Sequence, residues 1–261
     1  MTTLPCQIIH RNFGLVFTPS PDRAPHVIVT VQHCGLGHDI FDGIFEPSDS
    51  PSVTDLKTFP LAMDLFRAAA PHVGIIYNQF NRRYVETNVQ PTDAYRDERL
   101  AGYYDAFHQE IEARIAQSFA VNGPCTIIDL HGFGEQPAHV PPGGYDAILG
   151  TGNRHTVRTA EPNCRAGLNN LDFQLRDELE KSGLSVFCPA SDPARQTPDP
   201  FNGGYLIRKH SVNAGQVAAA IQIELAYRVR DRADGTNEKR AAFIEAMTAF
   251  IKRISGSHAA K

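Results

Sequence analysis

Apolar and polar positions along this chain switch between short strand-like runs and stretches with helical spacing. Val27-Ile28-Val29-Thr30-Val31 and Thr126-Ile127-Ile128 are runs of the kind buried on both faces of a parallel sheet. Each leads to a histidine with a glycine close behind, in Gln32-His33-Cys34-Gly35 and in Asp129-Leu130-His131-Gly132. Two strands ending this way deliver two imidazoles to one edge of a sheet, where open α/β folds place ligands and metals. Residues 7–18 and 26–32 read as strands separated by a turn at Ser20-Pro21-Asp22. Helical spacing of Leu56, Phe59, Leu61, Leu65 and Phe66 predicts a helix over 55–70, with Thr54 as its N-cap. A strand follows at 73–77. A helix over 100–119 carries Tyr103, Tyr104, Phe107, Ile111, Ile115 and Phe119 near one face. Strands are predicted at 125–130 and 146–150, a helix over 166–182 ended by Gly183, and a strand at 184–188. Residues 217–229 read both ways: Ala218 to Ala220 favour helix, while Ile221-Gln222-Ile223-Glu224-Leu225 alternates like a strand. The last amphipathic helix is predicted over 237–253, with a loose tail after Ile254.

Strands alternating with helices predict an α/β fold with a mixed, mostly parallel sheet flanked by helices. The length of 261 residues predicts one domain, 1–261, with its core over about 7–254. Two long loops, 34–52 and 189–204, are rich in Gly and Pro, and long loops in such a fold usually serve function.

Composition narrows the classes. With 42% apolar and 21% charged residues the chain resembles an ordinary soluble globular protein. Its net charge of -4, with Lys and Arg dispersed, gives no electrostatic case for nucleic acid or an anionic membrane. The apolar runs are too short to cross a bilayer. The start, MTTLPCQIIHRNFG, lacks a basic region followed by an apolar core, so no signal peptide is expected. Five scattered Cys without a CxxC pair read as reduced thiols, and a cytoplasmic location is the expectation. Nothing in the sequence addresses oligomeric state. Eleven His is a generous number, and it directs attention to metal chemistry.

A catalytic zinc site needs three N, O or S ligands and an open position for water. It also needs a base for that water and a cation or donor to steady a developing oxyanion. His33 and His131 are the natural ligand pair. For the third, Asp55, His38, Asp39 and Glu46 all lie within reach after His33. Asp129 shares a strand face with His131 and could orient an imidazole as an outer carboxylate or simply form a turn.

Five ordered motifs carry a resemblance. They are Gln32-His33-Cys34-Gly35; Asn81-Arg82-Arg83-Tyr84-Val85-Glu86-Thr87-Asn88-Val89; Tyr104 to His108 on a helix; Ile128-Asp129-Leu130-His131-Gly132; and Pro200-Phe201-Asn202-Gly203-Gly204-Tyr205-Leu206-Ile207-Arg208-Lys209-His210 followed by Ile221-Gln222-Ile223-Glu224-Leu225. In this order the chain resembles the N-formylglutamate amidohydrolase family, whose fold is similar to zinc carboxypeptidases (phosphorylase/hydrolase-like), from about residue 27 to 229. The resemblance implies one zinc ion held by His33, Asp55 and His131, with Glu224 as general base. It implies that Arg82 and Arg208 bind the substrate carboxylate or polarise the scissile carbonyl, that Asn88 hydrogen-bonds substrate, and that Gly203 and Gly204 let backbone approach it. The implied substrate is a small N-acyl amino acid, N-formylglutamate or a relative.

Three positions depart from the family pattern. Val89 stands where an Arg is expected, Gly132 replaces the Ser of Asp-x-His-Ser, and Cys34 replaces the Ser after His33. Val89 leaves open an alternative, a metal or small-molecule-binding protein without catalysis on the same fold. A cysteine hydrolase using Cys34 beside His33 fits poorly, because adjacent residues on a strand point to opposite faces. His108 sits among aromatics and reads as a buried, hydrogen-bonded histidine.

Overall fold

The computed structural model describes residues 7–19, 23–34, 43–48, 54–134, 144–158, 168–188, 201–211, 215–231 and 237–256. Of the two long loops read from the sequence, residues 35–42, 49–52 and 189–200 lie outside these, and so do His38 and Asp39. In chain order the elements are β1 (Gln7–Arg11), β2 (Gly14–Thr18), β3 (Val27–Val31), α1 (Thr58–Ala69), β4 (Val73–Asn78), α2 (Pro91–Ala94), α3 (Ala101–Asn122), β5 (Cys125–Phe133), β6 (Ala147–Gly150), α4 (Leu171–Lys181), β7 (Val186–Phe187), α5 (Tyr205–Ser211), β8 (Val217–Ala226), α6 (Tyr227–Arg230) and α7 (Glu238–Gly256).

The strands form one mixed sheet of order β1-β2-β4-β3-β5-β8-β6-β7. Its centre, β4-β3-β5-β8, is parallel. The β1–β2 hairpin adds antiparallel to β4 on one side, and β6 adds antiparallel to β8 on the other. Period-two alternation sorts the side chains of the central strands. Val27, Val29, Val31, Ile128, Leu130, Ile221, Ile223 and Leu225 join one core, covered by α1, α4 and α7. Ile28, Ile127 and Ala220 join a second core, under α3 and α5. The polar residues Thr30, Asp129, His131, Gln222 and Glu224 fall on this second face by parity, toward the C-terminal ends of the strands. Fully buried aromatics such as Phe107, Phe243 and Phe250 each stabilise by roughly 1.5–3 kcal/mol relative to exposure.

The structure differs from the sequence reading at several ends. Residues 7–18 are a hairpin, not one strand, turning at Asn12-Phe13. The turn is disguised because Phe13 is apolar: it is buried, edge-to-face on Phe107 with ring centroids 5.4 Å apart. The helix predicted from 55 begins at Thr58, and Thr54 does not cap it. Asp55 is held outside the helix, its N–H donating to the His33 carbonyl at 2.8 Å. Its own carbonyl accepts from the Thr58 N–H at 3.2 Å and from the Thr58 hydroxyl at 2.7 Å. Lys57, with φ 68, makes the bend between this loop and α1. β5 runs three residues past its expected end, so His131 lies within the strand. The ambiguous segment is strand through Ala226 and turns helical at Tyr227. Every residue of β8 is buried, and that environment overrides the helical preference of Ala218 to Ala220. Among the described residues no helix is long and apolar enough to cross a membrane.

Candidate metal centre

Parallel pairing of β3 with β5 sets Thr30 opposite Asp129, and pairing of β5 with β8 sets Asp129 opposite Gln222 and His131 opposite Glu224. His33 follows two residues after β3, and the loop before α1 brings in Asp55 through its backbone bond to His33. The three predicted ligands therefore meet. Their rings and carboxylate are buried, with the His33 and His131 centroids 4.7 Å apart. Asp55 Oδ2 lies 3.0 Å from His131 Nδ1 and 3.6 Å from His33 Nδ1. One ligand atom from each residue falls within 4.8 Å of the others. Glu46 is not in this group; it lies on the surface, 3.3 Å from Arg96.

The opposite ring nitrogens are held by carboxylates. His33 Nε2 is 2.7 Å from Glu86 Oε1, and His131 Nε2 is 2.9 Å from Asp129 Oδ2. Asp129 also accepts from the Thr30 hydroxyl at 2.7 Å and from Gln32 Nε2 at 2.8 and 2.9 Å. The Thr87 hydroxyl donates in turn to Gln32 Oε1 at 2.8 Å. Glu86 accepts from Arg82 Nε at 2.5 Å and from the Asn88 N–H at 2.9 Å. With Nε2–H given to a carboxylate, each imidazole has its Nδ1 lone pair for a metal, and its ring is fixed in orientation. Two nitrogens and a carboxylate oxygen converging in this way form a donor set suited to zinc.

The electrostatics follow from this crowding of acids and imidazoles. Burial works to lower the pKa of His33, but Glu86 and Asp55 outweigh it and raise it. Burial is likewise overcome at His131, where Asp129 and Asp55 raise the value well above the usual range for histidine. Against burial, His131 and His33 hold Asp55 down, and His33 and Arg82 hold Glu86 down to about 2. Glu224 behaves oppositely. Burial pushes its carboxyl up to about 7, although His131 and the 2.7 Å bond from Gln222 oppose the rise. A buried carboxyl titrating near neutrality beside a metal centre is suited to accept and return a proton.

The remaining predicted residues are placed differently. Arg82 is half-buried and tied to the centre through Glu86. Arg208 is exposed and donates from Nη1 to the Gly203 carbonyl at 2.6 Å. Asn88 Oδ1 accepts from the Leu206 N–H at 3.0 Å, so its side chain holds the start of α5. Gly204 packs so closely on Asn88 that a Cβ there would lie 2.1 Å from Asn88 Nδ2. Its N–H donates to Gln222 Oε1, which links this turn to the partner of Glu224. Val89 is part-buried against the core under α3, and its carbonyl accepts from Tyr104 Oη at 2.9 Å. Cys34 is buried in the other core, its Sγ accepting from the Phe59 N–H at 3.3 Å. His108 is buried and hydrogen-bonded, as read from the sequence, and its partner is His210, whose Nε2 lies 2.9 Å from His108 Nδ1.

Glu86 carries no signal in the sequence beyond its place within the motif over 81–89. The signal available was that acidic position in a motif shared with Arg82 and Asn88. The arrangement can bind one divalent cation and hold a proton beside it.

The model for the N-formylglutamate amidohydrolase family matches residues 45–229, well over half of the chain. No curated protein matches it in sequence. Among solved structures, an N-formylglutamate amidohydrolase from Ralstonia eutropha JMP134 is similar with TM-score 0.63 at 16% identity, over 98% of this chain and 99% of that one. A gene product from Agrobacterium tumefaciens is similar with TM-score 0.56 at 16% identity, over 88% of this chain and 92% of that one. At such identity the two structures establish a shared fold. The family match begins after His33, so the placing of His33 rests on the geometry above. The chain belongs to the N-formylglutamate amidohydrolase family and is a hydrolase acting on carbon–nitrogen bonds other than peptide bonds.

Proposed function

We propose that the protein is a zinc-dependent amidohydrolase, one catalytic domain, that cleaves the amide bond of a small N-acyl amino acid, N-formylglutamate or a relative. The observation that carries this reading is the convergence of His33 Nδ1, Asp55 and His131 Nδ1, each imidazole backed by a buried carboxylate, next to Glu224. His33, Asp55 and His131 would hold the ion. When bound, zinc supplies Lewis acidity that polarises a carbonyl and makes water a better nucleophile at neutral pH. Glu224 takes the proton of the attacking water and returns it to the departing amine; its raised pKa suits both transfers. Glu86 and Asp129 keep the imidazoles oriented. Arg82 steadies the developing oxyanion from the side of Glu86, and Arg208 offers a planar fork to the substrate carboxylate. Asn88, Gly203 and Gly204 shape the wall on which the substrate lies. Because Val89 has no charge to offer, the substrate class extends beyond N-formylglutamate to related N-acyl amino acids.

The test is metal analysis of purified protein together with hydrolysis of a panel of N-acyl amino acids. About one zinc per chain and chelator-sensitive release of a free amino acid are expected. A protein without metal sinks the reading. A zinc-loaded protein inert to the whole panel, yet binding a carboxylate ligand, would support a binding role instead.

A further inference from the structure

The last residue of α6, Arg230, is a buried arginine, 2% exposed. Among the described residues its guanidinium forms no ion pair with a carboxylate. It donates instead to three backbone carbonyls from separate parts of the chain. Nε reaches Leu225 at 3.1 Å, Nη2 reaches Phe133 at 2.7 Å, and Nη1 reaches Leu56. Each acceptor adjoins a residue of the site. Leu56 follows Asp55, Leu225 follows Glu224, and Phe133 lies two residues after His131. Burying a guanidinium is costly unless its donors are satisfied, and a planar fork is the side chain that can meet three convergent carbonyls at once.

Gly132 completes the arrangement. A Cβ at this position would lie 2.1 Å from Arg230 Cζ and 2.4 Å from its Nε. The glycine that departs from Asp-x-His-Ser is thus the space the guanidinium occupies. The segment is fastened a second time on the same loop, where Lys57 Nζ pairs with Asp231 and lies 5.1 Å from the Tyr227 ring centroid.

We infer that Arg230 is a positioning residue: its guanidinium locks together the loop carrying Asp55, the end of β5 carrying His131 and the end of β8 carrying Glu224, with Gly132 as the space it requires. The inference rests on the metal-centre reading above. The same cation also acts on Asp55 and Glu224 through space, so it offsets part of the negative charge gathered there.

The experiment uses the full chain. Zinc affinity is measured by competition with a chromophoric chelator, and the cobalt-substituted protein is read by its d–d absorption. Arg230→Lys keeps the charge and loses the fork; Gly132→Ala displaces the guanidinium. Each should remain folded, lose on the order of 10- to 100-fold in zinc affinity and shift the cobalt bands. With Arg230→Ala already present, Gly132→Ala should add little further loss. Arg240→Ala is the control for mere destabilisation. Arg240 donates to the Arg230 carbonyl at 2.7 Å and to Asp64 at 2.7 Å, without touching the site. It should lower the melting temperature and leave the cobalt spectrum as it was. Folded Arg230→Lys with wild-type affinity and spectrum overturns the inference. So does a loss no greater than that of Arg240→Ala at equal loss of stability. Failure of all the Arg230 and Gly132 variants to fold where Arg240→Ala folds would make Arg230 a stability element only, which also overturns it. A wild-type protein that takes up neither zinc nor cobalt would instead sink the metal-centre reading beneath it.

Discussion

Two buried pairs of histidines lie on this fold, and their surroundings give them opposite character. His33 and His131 have ring centroids 4.7 Å apart, and His108 and His210 have theirs 5.2 Å apart. The first pair is surrounded by Asp55, Glu86, Asp129 and Glu224, and both of its pKa values are raised. The second pair packs among Phe107, Tyr104 and Tyr205 with Lys209 nearby. Burial pushes His108 down to about 2 and His210 down to about 3, so both stay neutral and hydrogen-bond each other. Burial is common to the two pairs. The carboxylates distinguish a site that attracts cations from one that repels them.

The largest contrast is expected on removing one imidazole from each pair. His131→Ala should abolish stoichiometric zinc, whereas His210→Gln should keep it and lose stability of about 1–3 kcal/mol through unsatisfied buried groups. Metal analysis and thermal melts of both proteins decide the matter; zinc retained by His131→Ala would break the comparison. Next in size is Glu224→Gln, which should keep the ion and remove the proposed proton carrier. Turnover should fall on the order of 100- to 10,000-fold at unchanged zinc content. Unchanged turnover would remove Glu224 from the role of base.

The carboxylates also predict opposite pH behaviour with and without metal. In the metal-free protein the raised pKa values of His33 and His131 contribute stability that is fully present below about 6.5, the unfolded value, and is lost as pH rises through the folded values. Glu224, raised to about 7, works in the same direction, from about 4.3 upward. Asp55, Glu86 and Asp129 are lowered, so their contribution is present above about 4 and lost as pH falls. Metal-free protein should therefore melt highest in mildly acid solution and lower as pH rises toward about 9. Zinc held through the two Nδ1 atoms would displace their protons, so the stabilisation it adds should grow over the same rise. Melting curves with chelator and with zinc across this range provide the check. A flat metal-free curve between about pH 6 and 9 would mean that the imidazoles hold no extra protons there.

How far the sequence revealed this site depended on local pattern. His33 and His131 were legible because apolar runs announced their strands, and period two put Asp129 on the face of His131. Asp55 could be named as a candidate, but the residues around it read as a helix start. Thr54-Asp55 has the composition of a cap, and only the bond from Asp55 N–H to His33 shows that the segment serves the site instead. The β1–β2 hairpin was hidden by Phe13, an apolar turn residue filling a distant core. Glu86 and Arg230 were illegible for a different reason. One lies in a loop without periodicity and the other ends a four-residue helix. The contacts that give them their roles, Glu86 to His33 and Arg230 to Phe133 and Leu56, span 53, 97 and 174 residues of chain.

Glu86 therefore gives the finest test of the contrast between the two histidine pairs. Glu86→Gln keeps the shape and a hydrogen-bond acceptor for His33 Nε2 while removing the negative charge that makes this imidazole a stronger donor to a cation. If carboxylates give the first pair its character, zinc affinity should fall on the order of 10- to 100-fold while the fold and the 1:1 stoichiometry stay. The variant should also lower the His33 pKa, which NMR titration of the metal-free protein would detect as a midpoint moved toward lower pH. If affinity and titration both stay at their wild-type values, geometry alone distinguishes the pairs, and the charge argument fails for His33 even where it holds for His131.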